Sequence, residues 1–431
     1  MPRHPMPASR RTHESGFSLI EMVIALMVLV IVLVGALTLF DLASRVSRVQ
    51  VDVADMQQSL RTAQYDMVRI LRMAGRGHVP TQVAQPLPPA AAPFWSVPNG
   101  IAVAVRNNVA ANKFMDDPAN TKRILAGTDV LTVRGVFTSP VCTVMDGTFT
   151  VDKTLGSPTY GQGSFQVANI MKPNVPVPQN LKHLADSIAA GIKEGLVLVS
   201  SEDDSIYQIV ELDPPRSVVD NPANPALITV GFRFDGGTNT ATFLAFSSGT
   251  WNGKLKEAAY FGIMEEYRFY VLDERETPGD ATTAAKPRLV RAQTFPGTDQ
   301  PYGNPGDPAN WAVAMADNVA DLQIALGVQS GGASPFTVDE NGTAGDEWLF
   351  NNAGDNSADN KWRGGRLYYV RVSTTTFAER RDKDYESPAN VTLEDHTYAV
   401  PDFGSGGGVA TPDRAYRRRT LRTLVDLRNI T

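Results

Sequence analysis

The sequence predicts an α+β protein, with one long N-terminal α-helix packed on a head rich in antiparallel β-sheet. Three observations predict it. Residues 17–74 contain no proline and keep helical spacing throughout. Beyond residue 99, short runs of β-branched and aromatic residues alternate with turn residues. Gly and Pro number 35 and 29 in 431 residues, which suits a body with many turns.

The chain opens with a short basic leader, residues 1–16, in which Arg3, Arg10 and Arg11 outweigh Glu14. Phe17 to Phe40 then forms a 24-residue apolar stretch whose only ionisable side chain is Glu21. At about 1.5 Å per residue it is long enough to cross a hydrocarbon core of about 30 Å. Basic residues precede it, so the N-terminus is expected to stay in the cytoplasm and the head to be exported. A secretory signal peptide would have a shorter apolar run and a small-residue cleavage site after it. A plain membrane anchor fits the length but gives Glu21 no purpose. A carboxylate at the centre of a membrane helix costs about 2.5–3.5 kcal/mol on insertion scales and marks function.

Glu14-Ser15-Gly16-Phe17-Ser18-Leu19-Ile20-Glu21 resembles the class III, prepilin-type signal of type IV pilins. The resemblance implies cleavage by prepilin peptidase between Gly16 and Phe17, N-methylation of the Phe17 amine, and packing of the helix into a filament. It also implies that the helix sits in the inner membrane before assembly, and that Glu21 then pairs with the Phe17 amine of a neighbouring subunit and so sets axial register. Such a pair would offset the desolvation of both charges.

From Leu42 the pattern becomes a heptad. Leu42, Val46, Val49, Val53, Met56, Leu60, Ala63, Met67, Ile70 and Ala74 alternate spacings of four and three. Residues 41–79 are therefore expected to lay one face on the head. The helix should end near residue 74, because Gly75 and Gly77 supply stop signals.

Residues 80–98 hold six prolines and read as an extended connector to a single β-rich head, 99–431. Within the head, strands are expected at Ile101–Arg106, Asp129–Val136, Ser164–Ile170, Gly195–Ser200, Ile206–Glu211, Leu227–Phe234, Tyr267–Leu272, Arg288–Gln293 and Leu367–Ser373. A short helix is expected at 179–190, and loops at 294–310 and 403–413.

Three segments of the head resemble the PilW branch of minor pilins. They are Glu266–Val271 followed by Arg288–Arg291 as a hairpin, Asn318–Ile324 around the V-x-D-L-Q pattern, and Tyr416–Asn429 as a closing strand. The resemblance implies a minor pilin that helps to initiate or cap a type IV pilus, with other minor and major pilins as partners. A J-type pseudopilin of a type II secretion system shares the signal and the body plan. A tip adhesin that uses the large head to bind a surface is the third reading.

Composition narrows the other classes. The net charge of −6 argues against a general nucleic-acid-binding surface. Cys142 is the only cysteine, so the chain can form neither an internal disulfide nor a cysteine metal cluster. Behind the leader only His78, His183 and His396 remain, far apart, and no nucleotide, hydrolase or metalloprotease motif is present. No catalytic residue, metal, cofactor or small-molecule substrate is expected. The Asp/Asn/Gly-rich run 339–360 lacks EF-hand spacing and reads as a polar loop. Arg417, Arg418 and Arg419 read as the solvated edge of a strand.

Overall fold

The computed structural model describes residues 18–77, 102–110, 123–137, 142–168, 195–200, 202, 206–212, 219–220, 227–234, 251, 253–274, 286–294, 312–329, 348–352, 366–382, 384–399 and 414–427. The expected helix at 179–190, the connector 80–98, and most of the two expected loops lie outside them. The chain divides into two compact units that meet in sequence between Asp55 and Met56.

One helix, α1 (Leu19–Leu71), opens the fold, and its 53 residues run without a break. It ends three residues earlier than the heptad suggests. Tighter turns follow, and Gly75, with a φ of 76°, leaves the helix by donating its N–H to Arg134 O at 3.1 Å.

The strands follow in chain order. They are β1 (Val103–Arg106), β2 (Val130–Gly135), β3 (Cys142–Thr143), β4 (Thr150–Val151), β5 (Gln162–Ala168), β6 (Gly195–Ser200), β7 (Tyr207–Leu212), β8 (Val219–Asp220), β9 (Leu227–Arg233) and β10 (Ala258–Ile263). Beyond them run β11 (Glu265–Leu272), β12 (Arg288–Thr294), β13 (Val313–Asp317), β14 (Val319–Gln329), β15 (Trp348–Leu349), β16 (Arg366–Arg381), β17 (Asn390–Leu393), β18 (His396–Ala399) and β19 (Tyr416–Asp426). Every named strand pairing is antiparallel. The expected α+β class is therefore observed. β15 lies inside the run expected to be a polar loop, with Trp348 wholly buried.

Three main sheets build the head. One has the order β1-β2-β11-β12-β13, and another β15-β14-β16-β19. The chain passes from the first to the second at Asn318, whose φ of 55° lets a single residue turn β13 into β14.

The third sheet, β3-β10-β6-β7-β9-β5-β4, is an insertion between the neighbouring strands β2 and β11. Its two end strands, β3 and β4, are joined only by residues 144–149. Val144 N donates to Ala259 O on β10 at 2.7 Å, and Met145 N donates to Gln166 O on β5 at 2.9 Å. Two consecutive amides thus stitch the ends together, and the sheet closes on itself around its own core. That core holds Phe165, Phe232, Phe234, Trp251 and Phe261. Phe165 and Phe261 lie 4.8 Å apart between ring centroids. β8 lies off this closed path and pairs with β9.

Alternation on β6 places Leu196 and Leu198 in the inserted core and Val197 and Val199 in the main core. The main core receives the C-terminal part of α1. Ala63, Met67, Ile70, Leu71 and Ala74 join Leu131 and Phe269 of the first sheet and Leu322, Ile324, Val370 and Val425 of the second. Burial of each large side chain contributes about 1.5–3 kcal/mol.

The heptad seam is buried only in part. Met56, Leu60, Ala63, Met67, Ile70 and Ala74 are buried, but Leu42 and Val46 are exposed and Val49 and Val53 are half-buried. The expectation that the stripe is covered from Leu42 onwards is corrected: cover begins at Met56. Residues up to Asp55 form a unit whose described part is a single helix, which offers no second layer to bury a stripe against.

Candidate functional site: the two halves of the N-terminal helix

The first described turn of α1 holds the one carboxylate of the apolar stretch. Ser18 N–H donates to Glu21 Oε2 at 2.9 Å, and the Ser18 hydroxyl donates to the same oxygen at 3.0 Å. In return Glu21 N–H donates to Ser18 Oγ at 3.2 Å. This is a reciprocal capping box, S-x-x-E, in which two otherwise orphaned helix amides find partners. Glu21 therefore has a local role beside the intermolecular one expected of it. The signal was present: serine followed three residues later by glutamate, ahead of an apolar run. Gly16 and Phe17 lie outside the described residues.

Beyond the cap the helix displays its apolar side chains. Large hydrophobics from Leu19 to Phe40 are exposed by 48% (Val30) to 82% (Leu19). This helix is long and apolar enough to cross a membrane. A continuous apolar surface on this scale marks an interaction with lipid or with other apolar helices.

The other half of α1 is fixed to the head by polar contacts as well as by packing. Gln64 is buried, and its Nε2 donates to Thr374 Oγ1 at 3.1 Å and to Leu421 O at 3.0 Å. The Thr423 hydroxyl donates to Gln64 Oε1. One side chain thus bridges α1, β16 and β19 and sets the helix's rotation and height on the sheet. Asp66 accepts from Arg291 of β12 at 2.5 Å and from Arg69 at 2.8 Å.

Two buried charged clusters lie in the head. In the first, Glu266 stands directly opposite Arg134 across β11 and β2. It accepts from Arg134 Nε at 2.7 Å and from Arg268 at 2.5 Å, and all three side chains are fully buried. Burial, with Arg268 nearby, pushes Arg106 down to about 10. The second cluster gathers Asp129, Asp321, Asp395 and His396 under the β17–β18 hairpin. Asp129 accepts backbone N–H groups from Asn108 at 2.8 Å and Ile324 at 2.7 Å. His396 Nδ1 is 3.0 Å from Asp321 Oδ2. Neither cluster was foreseen, because a charged residue within a strand reads from sequence as facing water. Among the described residues, no group of three or more His, Cys, Asp or Glu side chains is arranged to hold a metal ion.

The arginine run lies on β19, an outer strand of its sheet. Arg417 pairs with Asp382 at 2.7 Å, Arg418 donates to Ser387 Oγ at 2.6 Å, and Arg419 is exposed. Cys142 is half-buried, and burial pushes its thiol up.

Comparison with known families matches two parts of the chain. The prokaryotic N-terminal methylation motif matches residues 11–37, which include Gly16, Phe17 and Glu21. The family of type IV pilus-assembly protein W matches residues 269–429. That segment begins inside β11 and carries the sheet against which Gln64 is anchored. The inserted closed sheet, between residues 142 and 263, lies outside both matches. Neither the curated proteins nor the solved structures gave a match. The prepilin motif and the pilus-assembly region together support a minor pilin related to type IV pili, and both describe structural components rather than enzymes.

Proposed function

We propose that this chain is a PilW-type minor pilin that helps to initiate or cap a type IV pilus. The observation that carries this reading is the coincidence of the methylation motif with a fully displayed apolar helix that has Glu21 in its first turn. Residues 1–16 act as the leader, removed by prepilin peptidase between Gly16 and Phe17. The new Phe17 amine is then methylated. Before assembly, residues 17–40 sit in the inner membrane with the head outside the cytoplasm. On assembly the same surface moves from lipid to the helices of major and minor pilins.

Glu21 acts twice in this scheme. Its capping box with Ser18 satisfies the carboxylate in the lone subunit. In the filament it pairs with the Phe17 amine of a neighbour, in a seam where an unpaired charge would be costly. No cofactor takes part, and neither nucleic acid nor a small-molecule substrate is called for.

The inserted closed sheet favours a second reading, a binding module at the filament tip, because it is a separately cored addition outside the pilus-assembly match. Glycan, cell and DNA binding by the soluble head test it. A J-type pseudopilin role is separated by gene neighbourhood, pilus genes against secretion genes.

The direct test is shearing of surface filaments from cells with and without prepilin peptidase. The protein is expected in the sheared fraction only when the peptidase is present. Its recovery solely from the membrane of piliated cells would contradict the reading.

A further inference from the structure

The β17–β18 hairpin is a two-stranded sheet of its own, and three titratable side chains at its turn contact the rest of the head. An isolated hairpin is marginal in water and depends on what it rests against. Its buried apolar anchor is Leu393. Further contacts come from its turn, Glu394-Asp395-His396.

Each element facing that turn contributes a polar or charged group. From β14, Asp321 meets His396, and Gln323 Nε2 donates to Asp321 Oδ1 at 2.8 Å. From the segment after β1, Asn107 and Asn108 donate to Asp395 Oδ2 at 2.6 and 3.1 Å. Asp129, just before β2, adds a wholly buried carboxyl. From β16, Arg371 Nε donates to Glu394 at 3.1 Å and Ser373 at 2.6 Å, while Arg422 of β19 lies 3.5 Å from Glu394. Glu394 is thus matched by two guanidinium groups. Among the described residues, Asp321 and Asp395 face His396, and Asp129 lies beside both carboxyls.

We propose that the β17–β18 hairpin is an acid-tightened latch, docked while the Asp129–Asp321–Asp395–His396 cluster holds its protons and loosened as it loses them. Three neighbouring carboxyls, two of them beside His396, cannot all ionise at low cost in a buried site. Burial raises Asp395 to about 6, against the hydrogen bond from Asn107. Burial and the charge of Asp395 raise Asp129 well above the usual carboxylate range, and burial raises Asp321 even with His396 beside it. Burial alone would lower His396, but the Asp321 hydrogen bond and charge, with Asp395, lift it above 6.5. All four groups therefore hold protons more tightly docked than free. A group of this kind stabilises docking fully below its undocked value and loses that contribution as pH rises through its docked value. The latch is tight in mild acid and weakens through neutrality, uncovering the polar side chains of β14 and β16 beneath it.

The test is hydrogen–deuterium exchange on the full-length chain in detergent at about pH 5.5 and about pH 8, corrected for intrinsic exchange. Amides of 390–399 are expected to be about tenfold or more better protected at the lower pH, while β11 amides keep the same protection. The wild-type comparison needs no variant. A second arm, Asp395→Asn with His396→Gln, is expected to shrink the ratio. Equal wild-type protection at both pH values, or a ratio unchanged in the double variant, would overturn the proposal.

Discussion

Ser18 and Glu21 cap each other: the Ser18 amide donates to the Glu21 carboxylate at 2.9 Å, and the Glu21 amide donates to the Ser18 hydroxyl at 3.2 Å. The carboxylate of the apolar helix is therefore satisfied within one subunit. A negative group at the first turn also suits the helix dipole. This separates two roles that a single substitution to alanine would confuse.

Glutamine can keep the capping hydrogen bonds but carries no charge. Glu21→Gln and Glu21→Val are both expected to leave membrane insertion and cleavage intact and to abolish incorporation into filaments. Sheared-filament immunoblots check this. Normal incorporation of Glu21→Gln would show that the cap, and not the charge, is what assembly requires.

Gln64 ties α1 to β16 and β19 from a buried position. Gln64→Ala leaves the Leu421 carbonyl and two threonine hydroxyls without this partner, and is expected to cost about 1–3 kcal/mol. Met67→Ala, in the main core, is expected to cost about 2–5 kcal/mol through the cavity it leaves. Urea denaturation of a soluble fragment starting at Asp41 measures both.

Cover on the helix begins at Met56. A fragment starting there is expected to be as soluble and as stable as one starting at Asp41. A fragment starting at Pro80 loses the helix from the main core, exposes that apolar face, and is expected to aggregate. Size-exclusion chromatography separates these outcomes, and similar monomer peaks for all three would contradict the packing described.

Glu266 sits between Arg134 and Arg268 with no solvent exposure. Glu266→Gln removes a fully buried counter-charge shared by two guanidinium groups and is expected to destabilise the head by about 3–5 kcal/mol. Thermal melting of the Asp41 fragment checks it; a melting temperature near wild type would mean that other partners neutralise the arginines.

Local chemistry made part of this fold legible. The expected strand at Gly195–Ser200 matches β6 residue for residue, and the Glu266–Val271 and Arg288–Arg291 hairpin is β11 paired with β12. Unbroken apolar or alternating runs identify such strands without tertiary help. β13, Val-Ala-Met-Ala-Asp, was missed because alanine and methionine favour helix, and pairing with β12 overrides that preference. Closure of the inserted sheet was illegible, since it rests on two-residue strands and on hydrogen bonds from Val144 and Met145 to distant partners. Leu42 and Val46 carry the same heptad as Met56 and Leu60, so no sequence pattern marks where cover begins. Arg134 of β2 and Glu266 of β11 looked solvent-facing because the two partners lie 132 residues apart in sequence.

The most direct measurement is the mass of the mature N-terminus, taken from protein isolated from piliated cells. A terminal peptide that begins at N-methylated Phe17 is the expected result, with Gly16→Ala slowing its appearance because a methyl group intrudes where the chain must bind closely. An intact leader in piliated cells, or a terminus beyond Phe17, would contradict the account at its root.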